Sequence, residues 1–452
     1  MERFFKLKEH NTDVKTEITA GVTTFLSMAY ILAVNPSMLA QAGMDSGGVF
    51  TATAISAAVG TLIMALFTNY PIALASGMGL NAYFTYSVCI PLAQQGIQDP
   101  WRIALAAVFV EGLVFILLTL CRFREKLIND VPKNLKYGIT VGIGLFITLI
   151  GLSNAGITVA SSSTLVDLGS VVSAPFALAF LGFLIICILQ HYKVVCPILW
   201  GILATWGLGM AAQQLGWYVI KPEAGHYSLI PQFSGMSFMP EKPALFAFDF
   251  SFIMSNAVQF TVIVFSFLFV ELFDTIGGLI GIADKADLLD EEGRLPKASR
   301  ALMADAMGTV AGACLGTSTV TAYMESCAGV GQGGRTGLTG VTTAVLFLVA
   351  LFFSPVFTAI PGFATAPALI FVGWLMMGSI KKMSFEGDMA DAIGGFMGMI
   401  MMPFTYSIAN GIMFGILSWL FLKLCSGKAK DIPPVMWISG LLFALRIATM
   451  VG

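Results

Sequence analysis

Charge is what this sequence has least of. Asp, Glu, Lys and Arg make up 11% of its 452 residues, against about 25% in a soluble globular domain. That is too little polar surface to clothe a water-exposed core of this size, and a soluble enzyme is excluded. The deficit is matched by an excess: 57% of the residues are hydrophobic, with 36 Phe and 47 Gly. Most of the chain must be solvated by lipid. The 24 Lys and Arg nearly balance the 26 Asp and Glu, so there is no basic field to hold nucleic acid and no block of like charge to form a tail. Histidine is also scarce. His10, His191 and His226 stand apart from one another and outside the centre of any long apolar run, which argues against a metal site built on histidine. The seven cysteines lie mostly inside apolar runs, never in a Cys-x-x-Cys spacing, and read as packed residues rather than a disulfide frame or zinc site. No cofactor is called for. The motifs Gly-x-Ser-x-Gly and His-Glu-x-x-His do not occur, and the glycine-rich stretch Gly329 to Gly340 lacks the Lys-Ser/Thr ending of a phosphate loop, so an intramembrane enzyme is disfavoured.

What is present is a series of apolar runs long enough to cross a bilayer as helices. They lie at Glu17 to Met38, Val49 to Phe67, Trp101 to Cys121, Asn134 to Leu152, Val171 to Gln190 and Pro197 to Gly216. After a more polar stretch from Trp217 to Asp249 they resume at Phe252 to Ile280, Ser299 to Leu315, Leu338 to Phe353, Ala364 to Ile380, Met389 to Met402, Thr405 to Cys425 and Pro433 to Met450. Ala40-Gln41-Ala42 resembles a cleavage site, but the apolar segment before it exceeds the roughly 7–15 residues of a signal sequence, so an uncleaved first span is expected. Lys and Arg gather before the first span (Arg3, Lys6, Lys8, Lys15) and then at Arg122, Arg124, Lys126, Lys133, Lys136, Lys193, Lys285, Arg294, Lys297, Arg300, Arg335, Lys381 and Lys382. The positive-inside rule then expects a cytoplasmic N-terminus in a multi-pass protein of the cell inner membrane. Lys423, Lys428 and Lys430 upset that parity, and the sequence leaves open whether Pro403 breaks one span or separates two.

Two segments depart from ordinary spans. Pro71 to Pro91 and Gly316 to Gly331 each open with a short extended stretch and turn helical, with polar residues near the start. Residues 81 to 84 read Asn-Ala-Tyr-Phe and residues 321 to 324 read Thr-Ala-Tyr-Met. Glycine-interrupted apolar segments at corresponding places in two halves point to a transporter site formed between inverted repeats.

Acids in hydrocarbon are costly and read as functional by default. Five qualify: Glu111, Glu271, Asp274, Asp305 and Glu325. Glu271 and Asp274 lie three apart on one side of a helix, followed by Gly277 and Gly278. This points to a substrate carboxylate at Glu271 and a coupling or positioning carboxylate at Asp274, against a bland reading in which both accept bonds from hydroxyls on adjacent helices. Glu325 is expected one turn into its half-helix, after Gly316-Thr-Ser-Thr-Val-Thr321, where free helix-start N–H groups and a carboxylate would suit a neutral, flat, amide-rich heterocycle. Asn81, with Gly77, Met78 and Gly79, occupies the matching start in the first half, either as a ligand or as a staple between the two broken segments. Thr321 has the same two options. Thr319, Ala322 and Tyr323 join the candidate substrate contacts. Tyr83 and Phe84 can stack on a planar ligand or simply pack. Glu111 reads better as a structural hydrogen bonder, and Asp305 as an acid in the first turns of its helix, where the dipole favours it.

These residues resemble the nucleobase:cation symporter-2 superfamily, and within it the AzgA-like adenine, hypoxanthine and guanine permeases. The likeness rests on TAGVTTFLSMAYILAVNP (Thr19 to Pro36), GMGLNAYF (Gly77 to Phe84), ELFDTIGGLIG (Glu271 to Gly281), GTSTVTAYMES (Gly316 to Ser326) and GGRTGLT (Gly333 to Thr339). The resemblance implies an all-α polytopic membrane protein of about fourteen segments in two inverted sevens, residues 1–226 and 245–452. Two short strands lead into the half-helices. It further implies a core domain near 17–121 plus 252–353 and a gate domain near 132–216 plus 364–450, with substrate between them. By this likeness Glu271 and Glu325 hold the base, Asp274 is the acid needed for transport and Asn81 is the polar residue of the first half-helix. The resemblance implies proton symport of a purine nucleobase, and it allows a homodimer. Where family members can carry Asp or Asn, this chain has Glu271, which leaves purine choice open. Other neutral nucleobases, uracil or xanthine, or an anion on a related scaffold are the alternative cargoes.

Overall fold

The computed structural model describes residues 2–121, 130–161, 163–220, 227–231, 239–290 and 295–451. Arg122, Arg124, Lys126, His226 and Arg294 lie outside the described residues, as does the repeat boundary expected at residue 226. Nine helices among the described residues are long and apolar enough to cross a membrane.

Local sequence sets where the segments start and stop. Asp13 caps helix α1 (Val14–Met28) by accepting from the Thr16 amide at 2.8 Å, and this bond holds its carboxyl below the usual range. After a break at Ala29 and Tyr30 the chain continues as α2 (Ile31–Ala40). Helix α3 (Ser46–Thr68) is capped by Asp45 and ends on Asn69 in the left-handed region at φ 62°. Strand β1 (Leu74–Ser76) leads into α4 (Met78–Ala82), which runs through a π-helical stretch, Tyr83–Cys89, into α5 (Ile90–Gln94). Proline stands in the first turn of α6 (Pro100–Leu120). Helix α7 (Lys133–Asn154) follows, then an exposed hairpin of β2 (Thr158–Ser161) and β3 (Leu165–Leu168). Proline again opens α8 (Ala174–His191) and α9 (Pro197–Gln214). This accounts for seven crossings in the first half: α1 with α2, α3, α4 with α5, and α6 to α9.

The second half repeats the plan. It contains α10 (Ser251–Lys285), kinked at Asn256, then α11 (Ala298–Leu315), strand β4 (Val320–Ala322) and a six-residue helix α12 (Ser326–Gly331). Helices α13 (Gly337–Ala350), α14 (Gly362–Met376), α15 (Met389–Phe404) and α16 (Ile408–Cys425) complete seven more crossings, and α17 (Pro434–Val451) is an additional helix. Along α6, Ala104, Ala107, Val108, Gly112 and Phe115 are buried while Leu113, Leu117 and Leu120 are exposed, as expected of a helix with one face on protein and one on lipid.

The open question at Pro403 is answered by packing. A side chain added at Gly415 would come within 3.1 Å of the Gly398 Cα, and one at Gly394 within 2.9 Å of the Trp419 Cβ, so α15 and α16 run antiparallel as a hairpin. At its open end Asp388 pairs with Lys423 at 2.7 Å and Lys428 at 2.8 Å. Both ends of the hairpin therefore lie on one side, which removes the parity conflict and leaves α17 outside the fourteen crossings. The hairpin β2–β3 was not expected; its residues are largely exposed.

Helices α3, α11 and α13 pack together, with α1 on α13 and α6 on α11; separately, α7 packs on α14 and α15, and α8 on α9 and α14. Where these groups meet, α4 contacts α7.

Candidate functional site

The centre of the protein is a crossing of two short strands. Strands β1 and β4 pair antiparallel, Ala75 opposite Thr321. The Gly77 amide donates to the Thr319 carbonyl at 2.9 Å and the Tyr323 amide to the Ala73 carbonyl at 3.0 Å. Extended backbone inside a membrane has no water to bond, and this pairing satisfies each strand with the other.

The threonine- and serine-rich approach to β4 explains itself once the partners are seen. The Asn35 amide donates to Thr317 at 2.9 Å, and the Thr319 hydroxyl donates to Glu111 on α6 at 2.9 Å. Ser318 donates to the Asn81 side-chain oxygen, which also accepts from Ser76 at 2.8 Å. Thr321 lies 3.0 Å from Thr275 on α10, whose hydroxyl is also 2.9 Å from Asp305 on α11. Each hydroxyl thus ties the strand to a different element. Asn81 is fully buried in this network, so here its oxygen serves as the staple between the two broken segments. Glu111 holds a hydroxyl, as its structural reading supposes. Asp305 is the eighth residue of α11 rather than part of its first turn, and it holds the Thr275 hydroxyl instead of answering the helix dipole.

Glu271 is also fully buried; its Oε1 accepts from Thr309 at 3.1 Å, and the same hydroxyl lies 3.0 Å from the Val320 carbonyl. One turn further along α10, Asp274 is half-buried and opens on a different set of neighbours. Its Oδ2 lies 3.6 Å from the position a Gly77 side chain would take, and it is within electrostatic reach of Asp305 and Glu325. Glu325 does not sit one turn into its helix as expected. It precedes α12, where it accepts from the Tyr30 hydroxyl at 2.6 Å. The Tyr323 hydroxyl donates to the Ser76 carbonyl at 2.7 Å. Asp274, Glu325, Tyr30, Tyr323 and Gly77 therefore converge, and Glu271 stands behind Asp274. With only six residues, α12 contributes little dipole, so polar capacity here rests on the carboxyls and hydroxyls.

Other candidates fall at the edges of this cluster. Ala322 is buried against Gly278, where a side chain would come within 3.0 Å of the Ala322 carbonyl. Gly79 faces Ile143 of α7. Tyr83 and Phe84 pack on Phe267, with ring centroids 4.6 and 6.5 Å away.

Two residues were missed by sequence reasoning. Tyr30 gave no signal beyond being a hydroxylated aromatic in an apolar run. Glu17 is fully buried and accepts from the amides of Arg335 at 2.9 Å, Thr336 at 3.3 Å and Thr339 at 3.2 Å, and from the Thr339 hydroxyl at 2.6 Å. It caps α13 from another helix, and this is the work of the GGRTGLT stretch.

Comparison with known proteins is consistent with this architecture. The model of the family described as "Permease family" (Xan_ur_permease) matches residues 15–414. The chain belongs to this family. Curated relatives of the permease include the adenine permease AdeP of Escherichia coli strain K12, 41% identical over 99% of this chain and 96% of its own. Another is the guanine/hypoxanthine permease PbuO of Bacillus subtilis strain 168, 43% identical over 98% and 99%. The transmembrane domain of the cyanobacterial bicarbonate transporter BicA superposes with TM-score 0.67 over 87% of this permease and 96% of that chain, at 15% identity, a likeness of fold. The permease is thus a multi-pass membrane protein with the inverted-repeat transporter fold, and its family are transporters rather than enzymes.

Proposed function

We propose that this permease carries a purine nucleobase, adenine, hypoxanthine or guanine, into the cell together with protons. The observation that carries the reading is the convergence of Asp274 and Glu325 with the hydroxyls of Tyr30 and Tyr323 at the strand crossing. Carboxylates accept from the N–H edge of a flat heterocycle, while protonated carboxyls and hydroxyls donate to its ring nitrogens and carbonyls. Glu325 and the Asp274–Glu271 side of α10 grip the base from two directions, and the backbone of Gly79, Ala322 and Tyr323 lines the space. Asn81, Thr319 and Thr321 keep the half-helices in register. Proton exchange falls to Glu271 and Asp274. The names of the full-length relatives support purine as the cargo class; an anion would meet carboxyls that repel it.

In this reading α1–α6 with α10–α13 form the core and α7–α9 with α14–α16 the gate, and alternating access moves one against the other. The N-terminus faces the cytoplasm across the inner membrane. Its side also carries Lys297, which bonds to the Thr68 carbonyl at 2.6 Å, and Asn69, which bonds to the Phe5 carbonyl at 2.9 Å. The resemblance also allows a homodimer, which the mass of the detergent-solubilised permease would reveal. The test is uptake into proteoliposomes under an imposed pH gradient, with adenine, hypoxanthine, guanine, xanthine and uracil competing against one labelled base. Purines are expected to compete best, and Glu271→Gln to lose gradient-driven accumulation. Accumulation of purine by that variant at the wild-type level removes the coupling role; competition by uracil alone removes purine as the cargo.

A further inference from the structure

Cys196 holds a conformation that its own sequence argues against. It precedes Pro197, the first residue of α9, and a residue before proline is pushed toward extended backbone. Instead it lies in the left-handed region at φ 60°, where any side chain is crowded and glycine would fit freely. What the cysteine adds is its thiol. Cys196 is buried, its Sγ 3.5 Å from the Ser27 hydroxyl and 4.0 Å from the Thr23 carbonyl, both on α1 and 169 and 173 residues away in the chain. Helix α9 packs on α8 and α14, whereas α1 packs on α13. The thiol therefore reaches out of its own helix group into the other.

Its landing point lies close to the candidate site. Ser27 is the last residue but one of α1, which breaks at Ala29 and Tyr30. The Tyr30 hydroxyl, three residues beyond Ser27, donates to Glu325 at 2.6 Å. A thiol is a weak donor and a weak acceptor. Such a contact fixes position while it lasts and is readily left, which suits a seam between parts that move. We propose that Cys196 is a latch between the gate and α1: transport requires its thiol to leave Ser27 and Thr23 and to return in each cycle, and while seated it holds α1 where Tyr30 meets Glu325. This rests on the reading that α9 belongs to the gate and α1 to the core, and that alternating access moves one against the other.

A disulfide across the seam tests it. Ser27→Cys places a second thiol opposite Cys196, and the 3.5 Å between the present atoms leaves a short adjustment to the ~2.05 Å of a disulfide. Copper phenanthroline with dissolved oxygen removes the two thiol hydrogens, and the peptide linking residues 27 and 196 is identified by mass. Oxidised Ser27→Cys is expected to take up labelled purine in proteoliposomes at least about 10-fold more slowly than the same protein reduced with dithiothreitol, because a step of the cycle is blocked. Ser27→Cys/Cys196→Ser, which cannot form the bond, should not respond to the oxidant. Purine binding to the oxidised protein should stay within about 3-fold of the reduced form, since the bond stops movement and leaves the site whole. No disulfide in the folded variant, a disulfide with undiminished uptake, or a loss of binding as large as the loss of uptake overturns the proposal. A second measurement needs neither a variant nor cargo. Cys196 is 4% exposed, so N-ethylmaleimide reaches it only when the seam parts. Its alkylation in the folded wild type, read by mass, upholds the latch even if no purine is taken up, a result that would sink the transport reading separately. Full protection of Cys196 over hours, in protein that still melts as the untreated permease does, overturns it.

Discussion

Gly79 offers a sharp test of how the half-helix meets α7. It lies inside a helix, where replacing glycine by alanine ordinarily helps by about 1 kcal/mol. Here the sign should reverse. A Cβ at Gly79 would stand 2.8 Å from the Ile143 Cγ2, about 0.6 Å inside the 3.4 Å at which ordinary contacts begin. Ile143 is only 3% exposed, and a β-branched side chain has little freedom to turn away. Overpacking of this kind costs about 1–3 kcal/mol, and valine, with two further methyl groups, should fall at the upper end. If that cost is met in the closed arrangement of α4 on α7, Gly79→Val should slow purine uptake by about 10- to 100-fold, since each ~1.4 kcal/mol is a factor of ten. The assay is initial uptake per folded protein in proteoliposomes. Adding Ile143→Ala to Gly79→Val opens the space and should recover much of the rate. Wild-type uptake in Gly79→Val, or no recovery in the double variant, would refute the argument.

Two further changes test the scaffold. Glu17→Ala strips the cap from α13 and leaves the amides of Arg335, Thr336 and Thr339 with no acceptor there. It should cost about 3–5 kcal/mol, read as a large drop in melting temperature in detergent; a melt within a degree or two of wild type contradicts the capping role. Asp388→Asn should loosen the α15–α16 hairpin by about 1–2 kcal/mol. The bonds from Lys423 and Lys428 hold the Asp388 carboxyl well below the usual range. A depressed acid stabilises above its unfolded value and loses that contribution only as pH falls through its folded value. The difference between wild type and Asp388→Asn should therefore be full at neutral pH and shrink only in strong acid; a difference that vanished between pH 7 and 5 would count against the assignment.

The order of spans was legible in the sequence because hydrophobic length and terminal Pro, Gly and Asp residues are local signals. The broken segments were legible for the same reason: Gly77 to Gly79 and Gly316 to Thr321 interrupt apolar runs that otherwise look continuous. Partners distant in the chain were not. Thr319 finds Glu111 208 residues away and Thr339 finds Glu17 322 residues away, and no periodicity encodes such pairings. The fold also separates two acids that the sequence treats alike. Glu271 turns toward Thr309 and Asp274 toward Glu325, a distinction set by the packing of α10 on its neighbours.

If a flat purine sits against Glu325 at the strand crossing, equilibrium binding of labelled purine to the purified permease will depend on that carboxyl. Wild type should bind saturably, with unlabelled purine displacing the label, and Glu325→Gln should lose at least about tenfold in affinity, the loss of one charged hydrogen bond, while melting as wild type does. Equal affinity in Glu325→Gln would place the cargo elsewhere and contradict the account.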